Sequence, residues 1–292
     1  MAVTQRHRFE LRASGIGFGS RPCLAVPQLH SPYETMVRLD STRCHWMSPG
    51  GGLLWHLRAL RYRLHWRPFC AAVAQWLAAW PHGRENLLLL GPSAGWCLPT
   101  AFLTGFRTIY AVDLDPLAPW LFNRLHGSSL RRAGVCVNWQ RADIFNTLVT
   151  LLRDYPEHAI LFGNMLGQHR FYCSDIASAE ANLQCLTRQL QGRVWASFHD
   201  RLSVDWPAGR PAPERLCAPC SLPSDQLARH FSSTGVWTDH LTDGIMEDSE
   251  CLYLPWHLLP GRLHLVEAAW RTDSASTPER PAAAAAAYSN SP

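Results

Sequence analysis

Three short stretches of this 292-residue chain carry side chains whose type and spacing suit chemistry. Residues 87–90 are four leucines that run into Gly91, Ser93 and Gly95, small residues that let a main chain bend from strand to helix and pass close to a ligand. Asp113 follows Gly91 by 22 positions at the end of a second apolar run, and a carboxylate there can accept two hydrogen bonds from a vicinal diol. His199 and Asp200 close a later apolar run, at the edge where ligands gather in open α/β sheets. Either one, or His169, has the chemistry of a proton acceptor. Strand, small-residue turn, helix and acid-ended second strand is how a nucleotide-binding sheet begins.

Composition narrows the chemistry. All 27 basic residues are arginine, which excludes a phosphate-loop lysine, a Schiff-base lysine and a lysine general base. The formal charge of +4 is mild and gives no strong nucleic-acid signal. Ten cysteines at irregular spacing suit small buried hydrophobes of a reducing compartment better than a disulfide framework. Only Cys217 and Cys220 have metal-like spacing, and tetrahedral zinc would need help from His230 or His240, so no metal is assigned. No apolar run approaches about 18 residues and no signal-peptide pattern opens the chain, which implies a cytoplasmic protein with no membrane partner. Oligomeric state is not legible.

The elements that must position these residues follow from periodicity. Residues 1–52 read as irregular, and 53–81 as two amphipathic helices broken at Pro68, the first with Leu53, Leu57, Leu60 and Leu64 as its apolar stripe. Arg58, Arg61, Arg63 and Arg67, interleaved with Trp55, Tyr62 and Trp66, read as a solvated face or as a surface for an anionic partner. Residues 82–271 alternate strand and helix with short connections, which predicts an α/β fold: a mostly parallel, seven-stranded Rossmann-like sheet, helices on both faces, and an antiparallel C-terminal hairpin. The predicted helix after the second strand has Asp115 as N-cap and stops at Gly127, and the fifth strand spans 193–198. Residues 207–223 read as a proline-rich inserted loop and 272–292 as a disordered tail.

In the order of these features, residues 85–270 resemble the class I S-adenosylmethionine-dependent methyltransferases. The resemblance implies S-adenosyl-L-methionine as cofactor. Gly91, Ser93 and Gly95 match the family's glycine-rich loop, and Asp113 matches the acid that binds both ribose hydroxyls. Asp143 falls where the family contacts the adenine amino group, Ile144 where it flanks the ring, and Gly163 opens the loop that borders the methyl group. Residues 163–168 are also faintly similar to a turn of histidine-specific N-methyltransferases, with Asn164 and Gln168 at its variable positions. Two departures stand out: Leu89 replaces a common acid and Ser93 a glycine.

The activity so implied is in-line methyl transfer to a small-molecule or amino-acid-like acceptor, which needs alignment and exclusion of water rather than a covalent intermediate. An alcohol or ammonium acceptor must lose a proton, for which His199 and Asp200 are the candidates, with Asn164 and Tyr172 to orient the acceptor. Two other readings stay open. Residues 91–95 spell the nucleophile elbow of a serine hydrolase, with Ser93 as nucleophile, Asp200 with His240, His257 or His264 as its partners, and residues 50–52 as an oxyanion loop. The departures at Leu89 and Ser93 suit an inactive, methyltransferase-like binding module. A nicotinamide dehydrogenase would want its third glycine one position later than Gly95.

Overall fold

A computed structural model of the chain describes residues 52–272 apart from 174, 208 and 234. The expectations for residues 1–51, including most of the 50–52 loop, and for nearly all of the tail lie outside the described residues.

Strand β1 (Asn86–Leu90) sits at the centre of the sheet and shows why the fold forms. Its leucines alternate, Leu87 and Leu89 into one apolar layer and Leu88 and Leu90 into the other, and all four are fully buried. Burial of such a side chain is worth ~1.5–3 kcal/mol, so this segment can only be an interior strand. β2 (Thr108–Asp113) and β3 (Cys136–Arg141) lie parallel on one side, and β4 (Ala159–Gly163) and β5 (Trp195–Asp205) on the other. The winding therefore reverses between β1 and β4, the position at which open α/β sheets hold ligands.

Seven strands were expected and nine are present among the described residues. β8 (Cys251–Leu259) and β9 (Arg262–Arg271) form the antiparallel hairpin, with β9 inserted between β5 and β8. The two extra strands are short. β6 (Leu216–Ala218) arises within the segment read as a loop and borders β8, and β7 (Thr238–Asp239) pairs with the far end of β5.

Helices cover both faces. α1 (Gly52–Tyr62), α2 (Arg67–Ala79), α3 (Thr100–Leu103) and α4 (Ala118–Arg132) pack on the Leu87 side. α5 (Ile144–Asp154), α6 (Ile176–Gln189) and α7 (Ser224–His230) pack on the Leu88 side. Pro68 falls in the first turn of α2, where its missing N–H costs nothing.

Two helix expectations are corrected. The leucine stripe of α1 faces outward, with Leu57 52% and Leu64 58% exposed, while Trp55 and Ala59 face the sheet together with Trp66 beyond the helix end. Trp55 tilts against Trp66 and meets Trp256 edge-on, and Phe69 stacks on Trp256 at 4.6 Å; the larger aromatic surface wins the interior. Trp55 and Trp66 therefore belong to the core and not to an arginine-rich surface. α4 runs past Gly127 because Phe122, His126 and Leu130 keep one face buried, and a mid-helix glycine costs only ~1 kcal/mol. The helix ends before Gly134, whose φ is +73°. Asp115 precedes α4 by two further residues and accepts the Leu117 N–H at 2.9 Å in a turn that leads into it.

Candidate functional site

The loop after β1 turns through three left-handed residues: Gly91 at φ +64°, Ser93 at +50° and Gly95 at +71°. Glycine adopts this region freely, whereas Ser93 does so at a cost, and it is held there by its N–H, which donates to Asp113 Oδ2 at 2.6 Å. The other Asp113 oxygen accepts the Asp115 N–H at 2.8 Å. Burial pushes the Asp113 carboxyl up to about 6, against the opposing pull of these two N–H groups. Each oxygen engages one donor, and a carboxylate oxygen has room for a second.

Two residues on, Asp115 anchors α1. Trp96 donates its indole N–H to His56 Nδ1 at 3.0 Å, so His56 carries its proton on Nε2 and donates to Asp115 Oδ2 at 2.7 Å. The Gly52 N–H adds a further bond to Asp115 at 3.1 Å. Burial favours the neutral acid, but the hydrogen bond from His56 and its companions hold Asp115 below the usual carboxylate range. On the other side of the loop, a side chain at Gly95 would strike His126 and Phe122.

The loop after β4 closes the crevice. A Cβ at Gly163 would lie 3.2 Å from Gly91 O and from Pro92 Cα, and one at Gly91 would lie 2.8 Å from the Met165 side chain. Asn164, itself left-handed at φ +57°, accepts the Asp200 N–H on its side-chain oxygen at 3.1 Å. The short 3-10 helix that follows, Leu166–Tyr172, lies against β5 so closely that a Cβ at Gly167 would be 2.5 Å from Asp200 O.

The site residues expected from sequence thus fall into groups. Gly91, Ser93, Gly95, Asp113 and Gly163 converge at the winding reversal, with Asn164 and Asp200 beside them. Asp143 caps α5, accepting the Phe145 N–H at 3.0 Å and the Asn146 amide at 2.8 Å. Ile144 is buried among Leu148 and Leu152 in the interior under α5. Tyr172 is largely exposed at the end of the 3-10 helix.

His199 is placed differently from expectation. β5 does not stop at residue 198 but continues to Asp205 along β9, so His199 lies within a strand and is fully buried. Its Nδ1 meets Ser197 Oγ at 2.9 Å and its Nε2 lies 3.7 Å from Glu267. Burial, with Arg201 nearby, pulls its imidazole down to about 3, which leaves it neutral and a poor proton acceptor. Among the described residues Ser93 Oγ is buried with no hydrogen-bond partner, so none of their histidines activates it, and the hydrolase reading finds no support.

Of the histidines offered as partners of Asp200 in the hydrolase reading, two meet it, but away from Ser93 and in a grouping that sequence reasoning did not foresee. His264, on β9, places Nδ1 3.0 Å from Asp200 Oδ1, and His240 lies beside both. Burial raises Asp200, but the nearby imidazoles of His264, His240 and His199 together outweigh it and keep the carboxyl low. Burial lowers His240 to about 4. Cys217 and Cys220 are exposed and separate from this group; Cys217 Sγ meets Glu250 at 3.4 Å. Among the described residues no helix is long and apolar enough to cross a membrane.

No protein-family model and no curated protein matches the chain. Solved structures similar to it include the N-methyltransferase NodS from Bradyrhizobium japonicum WM9 in complex with S-adenosyl-L-homocysteine, at 13% identity over 81% of this chain and 95% of that one, TM-score 0.33. A geranyl diphosphate methyltransferase in complex with SAM is similar at 14% identity over 78% and 94% of the two chains, TM-score 0.37. The N-terminal domain of EvdMO1 with SAH bound is similar at 16% identity over 73% and 80%, TM-score 0.32. By its own sheet order the chain is an α/β protein with a mostly parallel, Rossmann-like sheet and an antiparallel C-terminal hairpin.

Proposed function

We propose that the chain binds S-adenosyl-L-methionine across the tips of β1 and β2 and transfers a methyl group to a small-molecule or amino-acid-like acceptor held near the loop after β4. One observation carries the reading: the carboxylate of Asp113 is pinned beneath a left-handed small-residue loop at the point where the sheet reverses its winding. The residues present suit the cofactor. Each Asp113 oxygen keeps acceptor capacity for a ribose hydroxyl, and the turn at Gly91 and Gly95 exposes main chain rather than side chain.

When bound, the cofactor supplies an electrophilic methyl group on a sulfonium centre. The work of the protein is alignment and exclusion of water, for which the contact between Gly163 and the 91–92 main chain and the anchoring of α1 through His56 are suited. A proton released by a hydroxyl or ammonium acceptor would leave toward the polar group around Asp200, which borders the β4 loop through Asn164 and Gly167, and not toward the enclosed His199.

Calorimetric titration with S-adenosyl-L-homocysteine tests the reading. Saturable binding at one site, weakened at least tenfold in Asp113→Ala, supports it. Absence of binding, or unchanged binding in the variant, defeats it.

A further inference from the structure

We propose that Asp200, His240 and His264 form a binding site for one divalent first-row transition ion, with zinc as the first expectation. The three come from β5, the segment after β7, and β9, and nothing local in the sequence requires them to meet. Each offers a ligand atom, and these atoms lie within 4.8 Å of one another; among the described residues this is the one group of three such side chains close enough to share an ion.

Asp200 Oδ1 and His264 Nδ1 are 3.0 Å apart, about the separation of two ligands held at right angles by an ion with bonds of about 2.0–2.2 Å. They face each other at ion-pair distance without hydrogen-bond geometry, and among the described residues neither buried atom has a hydrogen-bond partner. A carboxylate oxygen and a ring nitrogen that meet this closely in the interior without a hydrogen bond suit a third body held between them.

His240 is already set as a ligand. Its Nδ1 meets Gly167 O at 2.7 Å, and a carbonyl only accepts, so Nδ1 carries the proton and Nε2 keeps its lone pair. Such a carbonyl behind a histidine is the usual support of a metal-bound imidazole. Without an ion, Ser203 Oγ donates to Nε2 at 3.0 Å, and Arg262 donates to the same Oγ at 2.9 Å. The main chain of Asp200 is fixed as well, its N–H by Asn164 and its carbonyl by Thr242 Oγ1.

Two imidazoles and one carboxylate suit zinc, iron(II) or cobalt(II) better than magnesium or calcium, which prefer oxygen ligands. Three protein ligands leave at least one coordination position free for water or a ligand oxygen. Asp200 and His240 are each 4% exposed and the His264 side chain 12%, so the approach from solvent passes His264. With an ion in place, an oxygen-bearing acceptor would meet the open coordination position rather than a free carboxylate. This last step alone rests on the methyl-transfer reading.

The test uses the full chain, stripped with chelator and titrated with Co2+ in the absence of cofactor and acceptor. We expect one equivalent to bind with visible ligand-field bands, no thiolate charge-transfer absorption, and displacement by Zn2+. Asp200→Asn, His240→Gln and His264→Gln should each weaken Co2+ binding at least tenfold, while the double variant Cys217→Ser/Cys220→Ser leaves it unchanged. His264→Gln, at the rim, is the variant best placed to stay folded, and its circular dichroism melt checks this. Failure to take up Co2+ saturably would overturn the proposal. So would retention of binding by a folded His264→Gln protein, or thiolate bands lost in the cysteine variant. None of these readouts depends on cofactor binding.

Discussion

The main-chain N–H of Ser93 donates to the carboxylate of Asp113 across 2.6 Å, tying the loop after β1 to the tip of β2. A serine in a left-handed conformation and a buried carboxylate are each unfavourable alone, and the hydrogen bond between them offsets part of both costs. The same carboxylate is then both a brace for the loop and the group offered to a ligand diol.

The protonation of Asp113 should govern ligand affinity. A diol donates to the ionised acid, whose pKa in the free protein burial has lifted to about 6. Affinity for S-adenosyl-L-homocysteine should therefore be flat above that value and fall by up to ~tenfold per pH unit below it. Calorimetry across the range checks this; a flat profile would remove Asp113 from the site.

The same shift has an opposite effect on folding. An acid whose folded pKa is raised contributes stability below its unfolded value of 3.8 and loses it as pH rises toward about 6. Asp113→Asn, which cannot ionise, should gain melting temperature relative to the native chain as pH climbs through that window. A constant difference in melting temperature would contradict the assigned burial.

Gly167→Ala should be destabilising, through the main chain against which the 3-10 helix packs. The new methyl would lie 2.5 Å from the Asp200 carbonyl oxygen, which is main chain and cannot swing away. Overpacking of this kind costs ~1–3 kcal/mol. Urea denaturation provides the measurement, and a variant as stable as the native protein would mean the 3-10 helix is not held against β5 as described.

His56→Ala removes the bond to Asp115 and leaves the Trp96 indole without its acceptor. A loss of ~1–3 kcal/mol is expected where a buried partner is left unsatisfied. It should appear as faster amide exchange in residues 52–62 rather than across the sheet. Uniformly faster exchange would show that α1 is integral to global folding.

A second polar group lies inside the antiparallel half of the sheet, where Arg201 Nε is 3.3 Å from Glu267 Oε2 and both side chains are fully buried. Burial raises the Glu267 carboxyl, and Arg201 only partly offsets it. Removing one partner strands the other, so Arg201→Met should cost ~3–5 kcal/mol, whereas Arg201→Met/Glu267→Leu should recover much of that loss. Chemical denaturation of the single and double variants decides it.

Much of this architecture was legible in the sequence. The leucine run, the glycine turn and Asp113 lie close together in the chain and speak for local geometry, so β1, its loop and β2 could be read directly. What was not legible depended on competition. α1 carries two candidate faces, and only the presence of Trp256 and Phe69 selects Trp55 over the leucines. Gly127 resembles a helix stop until Leu130 supplies a buried anchor one turn later. His199 and Asp200 looked equivalent at a presumed strand end, but β5 continues, and adjacent strand residues face opposite sides. The meeting of Asp200 with His240 and His264 is a product of tertiary pairing, because β9 places His264 two residues along from Val266, the register partner of Asp200.

The imidazole of His56 grips two neighbouring segments at once, through Trp96 on the turn and Asp115 beyond β2. The start of α1 is thus moored to both segments by one imidazole, with the Gly52 N–H as a second tie to Asp115. Exchanging that single residue changes how firmly the helix is moored while every main-chain bond of the sheet stays in place.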